Sequence, residues 1–162
     1  MIKANVRART NPMIQFVHKC DAAPAATGVT VTLTLDQRVR SRLKVVLDDG
    51  REAGILLPRG TVLRDGDALA SEDGLVVLVR AAAQCLSRVA CADALALARA
   101  CYHLGNRHVA VQIEPGRLSY LHDHVLDDLV LGLGLQVRVE EGAFEPESGA
   151  YGGQGHGHGH DH

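Results

Sequence analysis

The stretch Tyr102-His103-Leu104-Gly105-Asn106-Arg107-His108 decides how this chain is divided, because a helical pattern stops there and a strand-like one begins. Before it, Ala94 to Leu104 has helical spacing, with Leu97, Cys101 and Leu104 on one stripe and small Ala94 and Ala98 beside them. Gly105 stands where a left-handed helix cap is expected, and Asp93 is suited to cap the other end. After it, Val109 to Ile113 is a short apolar run ending at the turn signal Pro115-Gly116, and a second run follows from Arg117 to Leu121. His108 opens the first of these strands.

Working outward, Cys85 to Cys91 reads as a strand before the helix. A second helix runs from about Asp123 to Leu133, with Val125, Leu126, Leu129, Val130 and Leu133 on its apolar face and Asp127 and Asp128 on the wet one. Gly134 stops it, and Gln136 to Glu140 supplies a last strand. The order is β-α-β-β-α-β, the split βαβ or ferredoxin-like arrangement. Upstream, alternation at Thr30 to Thr34, an apolar run at Leu43 to Leu47 and the turn signals Asp49-Gly50, Asp65-Gly66 and Asp73-Gly74 predict an all-β domain whose last strand is Leu75 to Val79. The expected organisation is α+β: an all-β domain over 1–82, a ferredoxin-like domain over 83–146, and a tail over 147–162. Alternating Gly and His from Gly152 onward offer too little apolar area to offset chain entropy, so the tail is expected to be disordered.

Composition narrows the function classes. Of 162 residues 46% are hydrophobic but only 3% aromatic, with no Trp, so the cores must rest on Val, Leu, Ile and Ala. A formal net charge of −2 gives no electrostatic case for nucleic acid or an anionic membrane. Cys20, Cys85, Cys91 and Cys101 form no C-x-x-C pair; the last three read as core filler, and a reduced cytoplasmic setting is expected. No apolar run reaches the length of a membrane span, and no signal peptide is visible. No H-E-x-x-H, P-loop, G-x-S-x-G or G-x-G-x-x-G motif supports an enzyme.

Histidine carries the remaining chemistry. Four of the nine histidines, His156, His158, His160 and His162, fall in the last seven residues. Neutral imidazole ligates Ni, Cu and Zn, so the tail reads as a metal-capturing segment. His108 brings one imidazole to a structured junction, and a lone histidine at a strand start reads first as a structural residue. Two-fold symmetry would let two copies share one ion. His122 and His124 flank Asp123, and share a face only if the backbone there is extended. His103 sits near the negative end of its helix.

The runs YHLGNRHVAVQI (102–113), LHDHVLDDL (121–129) and FEPESGAY (144–151), with DQRVRSRLKVVLDDGR (36–51) and LLPRGTVLRDGD (56–67), resemble the UreE family of urease accessory nickel metallochaperones. The resemblance implies the same ferredoxin-like domain. It implies that His108 binds nickel at a homodimer interface and that His103, His122 and His124 are accessory metal sites. It also implies Ni(II) as cargo, with Cu(II) and Zn(II) competing in vitro, and delivery to the apo-urease accessory complex together with a urease accessory GTPase. A His-tailed storage or resistance protein without a urease client is the alternative; a separate β domain suited to docking favours delivery.

Overall fold

The computed structural model describes residues 13–21 and 28–148. Of the tail expected over 147–162, residues 149–162, with His156, His158, His160 and His162, lie outside the described residues, while Glu147 is bonded into the second unit. The chain forms two compact units. One holds the described residues up to Thr32 together with Arg40–Arg80; the other holds Leu33–Val39 and the described residues from Ala81 onward.

The first unit is mostly β. Strands β1 (Ile14–Cys20), β2 (Thr30–Leu33), β3 (Arg42–Val46), β4 (Glu52–Leu56), β5 (Ala68–Ser71) and β6 (Val76–Ala81) belong to one sheet, ordered β2-β6-β5-β1-β4-β3. The central strand β1 pairs in parallel with β4 and antiparallel with β5. Two of the Asp-Gly signals make hairpins, with Gly50 at φ 91° between β3 and β4 and Gly74 at φ 81° between β5 and β6. The third, with Gly66 at φ 85°, turns the chain into β5 without joining paired strands. Both outer strands are tied at one end through Asp48. Its carboxylate accepts from the Thr30 and Thr32 hydroxyls and from the Thr32 N–H, and its own N–H reaches the Thr30 carbonyl. Phe16, Ile55, Leu63, Leu69 and Val77 fill the interior.

The second unit begins with a segment that sequence periodicity assigns to the β region. Helix α1 (Leu35–Arg38) is a single turn, started by Thr34 and Gln37 in a capping box. Arg38 is wholly buried, its guanidinium paired with Glu145 and bonded to the Phe144 carbonyl, while Leu35 N–H donates to the Gln84 side chain at 2.8 Å. These partners explain why residues 33–39 belong to the second unit.

The rest of that unit runs β7 (Ala83–Ala90), α2 (Ala94–Gly105), β8 (Gln112–Glu114), β9 (Arg117–Leu121), α3 (His124–Gly132) and β10 (Arg138–Ala143). Its sheet is ordered β10-β7-β9-β8 with every neighbouring pair antiparallel. Leu97, Ala100 and Leu104 of α2 and Val130 of α3 pack with Val89, Leu118 and Tyr120 of the sheet. The stripe of α2 therefore includes Ala96 and Ala100, whereas Ala94 and Ala98 are exposed. On α3, Leu126, Leu129 and Val130 face the core, but Val125 is 53% and Leu133 37% exposed. The strand expected over 109–113 is only β8, because the Val111 carbonyl is taken by the Glu147 N–H at 2.8 Å and not by a sheet neighbour.

Candidate functional site

The helix break is built differently from its sequence reading. Helix α2 continues through Gly105, whose φ is not positive, and the left-handed residue is His108, at φ 57°. His108 N–H donates to the Gly105 carbonyl at 2.9 Å and Val109 N–H to the Leu104 carbonyl at 3.2 Å. This pair of bonds is a Schellman motif with His108 in the position that usually holds glycine, and partly buried Val109 packs back on the cluster containing Leu104. Helix α3 ends in the same way. Gly134 N–H donates to Leu131 at 2.9 Å, Leu135 N–H donates to Val130 at 3.3 Å, and the left-handed residue is Gly134, at φ 82°. One of two equivalent slots thus carries the residue the backbone prefers, and the other carries an exposed histidine.

Around His108 lies an open depression of about 440 Å³ whose walls include Cys101, Val109, Ala110, Val111 and Ile113. Its apolar wall is accessible at Ile113, which is 45% exposed. Burial raises the Cys101 thiol above its ordinary range, which keeps it protonated. His103 is exposed on the last turn of α2, its ring edge-on to Tyr102 with centroids 5.4 Å apart.

A second histidine region lies where β9 passes into α3. Asp123 caps the helix, accepting from the Val125 and Leu126 amides, and its backbone is extended at φ −151° and ψ 123°. His124 is the first helical residue and His122 directly precedes the cap; both are exposed. His122 has a built environment. Its Nδ1 lies 3.1 Å from Asp127 Oδ2 and 3.0 Å from Ser87 Oγ, and its N–H donates to the Cys85 carbonyl. Asp127 also accepts the Tyr120 hydroxyl at 2.8 Å. Tyr120 and Ser87 are fully buried cross-strand partners. Asp127 is thus not on the solvent face of α3, since its side chain is only 14% exposed. The signal for this was Tyr120 and His122 sharing a strand face, with Asp127 one helical turn past the cap.

The structure does not bring these histidines into one cluster: among the described residues no group of three or more His, Cys, Asp or Glu side chains is arranged to hold a metal ion. Cys85 is exposed, not core filler, and Cys91 and Cys101 are half-buried. No helix among the described residues is long and apolar enough to cross a membrane.

A β-rich unit followed by a mixed unit of order βαββαβ, with exposed imidazoles on the mixed unit, defines a two-unit α+β protein. Family comparison makes this particular. Residues 12–82 match the UreE urease accessory protein N-terminal domain and residues 84–162 the C-terminal domain. The chain is 60% identical over 132 residues to the urease accessory protein UreE of Alkalilimnicola ehrlichii, covering 82% of this chain and 80% of the relative. It is 60% identical over 123 residues to that of Vibrio parahaemolyticus (76% and 77%) and 56% identical over 140 residues to that of Pseudomonas putida strain W619 (86% of each). The chain belongs to the UreE urease accessory protein family.

Proposed function

We propose that this protein takes part in urease maturation as a nickel metallochaperone: it captures Ni(II) and hands it to apo-urease with the other urease accessory proteins. Its role is that of an accessory protein and not of an enzyme. The observation that carries the reading is His108, an exposed imidazole held in a left-handed slot that the matching helix end fills with Gly134. A residue kept in a costly backbone state points to a use for its side chain. Family membership gives that use its client.

One imidazole is a poor site alone, so the second ligand would come from a second copy. In the proposed homodimer, two ferredoxin-like units meet at the apolar depression beside His108, and the two His108 rings share one ion. His103, His122 and His124 would be accessory ligands. The tail histidines, from His156 to His162, would supply further capacity, with Cu(II) and Zn(II) competing because imidazole favours copper over nickel. The β unit would present a docking surface to the urease accessory GTPase and the apo-urease complex, in the cytoplasm.

The test is transfer. Nickel-loaded parent and His108→Ala protein are mixed with apo-urease and its accessory proteins, and urease activation is followed. The variant should fold and should fail to raise activation above the level reached without this protein; activation equal to the parent's would overturn the reading.

A further inference from the structure

We propose that Asp127 is a positioning residue for His122: held by Tyr120, it fixes the imidazole with Nδ1 protonated and inward, leaving the Nε2 lone pair outward for a divalent cation. This rests on the metal-capturing function proposed above and adds the device that prepares one of its accessory ligands.

The hydrogen-bond directions fix the assignment. The Tyr120 hydroxyl donates to Asp127 Oδ1, and Asp127 Oδ2 faces His122 Nδ1 at 3.1 Å. An ionised carboxylate only accepts, so the ring nitrogen beside it must carry the proton. Ser87 Oγ, 3.0 Å from the same nitrogen, then cannot donate to it. Its hydroxyl has another acceptor in the phenol oxygen of its cross-strand partner Tyr120. The chain of donors runs Ser87 to Tyr120 to Asp127, with His122 giving its proton to the same carboxylate, and no donor meets a donor. Nε2 has no partner among the described residues, and the His122 side chain is 37% exposed.

A carboxylate behind the far nitrogen of an imidazole fixes its tautomer and raises its basicity as a ligand. The surrounding residues make the arrangement rigid. Tyr120 and Ser87 are fully buried, and Asp127 stands on the first turn of a helix whose cap is made by Asp123. A half-exposed histidine without such backing would sample both tautomers and several rotamers. The charged and titratable groups nearby are Asp123, His124 and Asp128 on α3 and its cap, and Cys85 on β7.

The test uses the full-length protein labelled with nitrogen-15 and follows the His122 ring by NMR, first without metal and then with zinc ion as a diamagnetic probe. The metal-free parent should show Nδ1 protonated and Nε2 bare. Asp127→Asn, which cannot accept from Tyr120 and His122 together, should move His122 toward the other tautomer. It should also raise the zinc concentration that half-saturates the His122 signal about tenfold or more. Asp127→Glu should restore part of both, which a purely structural role would not do. A parent protonated on Nε2, an Asp127→Asn protein with unchanged tautomer and zinc response, or a His122 ring untouched by zinc overturns the proposal. If any of these occurs while nickel uptake elsewhere in the chain persists, only the role of Asp127 falls; if the chain takes up no nickel at all, the proposed function falls with it. Should Asp127→Asn fail to fold, the tautomer in the metal-free parent and the response of Tyr120→Phe decide the matter.

Discussion

A left-handed backbone costs a β-carbon-bearing residue on the order of 1 kcal/mol, and glycine almost nothing. His108→Gly should therefore raise stability by about 1 kcal/mol while removing the imidazole, whereas His108→Ala should remove it without relieving the backbone. Chemical denaturation of the three proteins checks this; a His108→Gly protein less stable than His108→Ala would show that the ring itself supports the fold. At Tyr120, burial first and then the hydrogen bond to Asp127 push the phenol well above its ordinary value. The folded protein thus holds this proton more tightly than the unfolded chain does. The associated stability is intact below about pH 10, the ordinary phenol value, and is lost as pH rises past it. In a near-ultraviolet phenolate titration, Tyr120→Phe should remove a phenol that ionises well above the ordinary value.

At the scale of elements, the two helix ends make a paired prediction. Gly105 lies inside α2 at ordinary helical φ, and a β-carbon there would meet nothing within 4 Å. Gly105→Ala should stabilise by about 0.8 kcal/mol. Gly134→Ala should destabilise by about 1 kcal/mol, because φ 82° suits glycine alone. Thermal unfolding of the two variants should move in opposite directions, and a loss at both would put the helix end back at Gly105. The sequence pointed to the wrong residue here for a physical reason: glycine marks a left-handed cap only when no other residue takes the slot, and His108 takes it. Much else was legible. The Asp-Gly hairpins, the βαββαβ order and both aspartate caps follow from local chemistry that tertiary contacts did not override. Helix α1 was hidden by the alternation of Thr30 to Thr34, although Thr34 and Gln37 carried a capping-box signal. The histidines were legible as candidates, but Asp127 behind His122 was not, since its partners come from β7 and β9.

At the scale of the molecule, Arg38 shows that the sequence-continuous amino-terminal region is not self-contained. Its buried guanidinium answers Glu145 and the Phe144 carbonyl, so residues 33–39 are part of the unit that carries the histidines. Arg38→Met should cost about 3 kcal/mol, toward the lower end for a broken buried pair because Glu145 keeps some exposure. A chain starting at Ala83, and so lacking α1, should unfold at a lower temperature than the same unit in the intact chain. The proposed pairing of two chains around His108 belongs to this scale too, and it has a number attached. Native mass spectrometry of the full-length protein, at nickel below the capacity of the tail, counts the ions on the first species to load. The parent should take its first nickel as one ion per two chains, and His108→Ala should lose that species while keeping weaker binding by the other histidines. One ion per single chain, or a first-loading species unchanged in His108→Ala, would contradict a nickel site shared between two copies of His108.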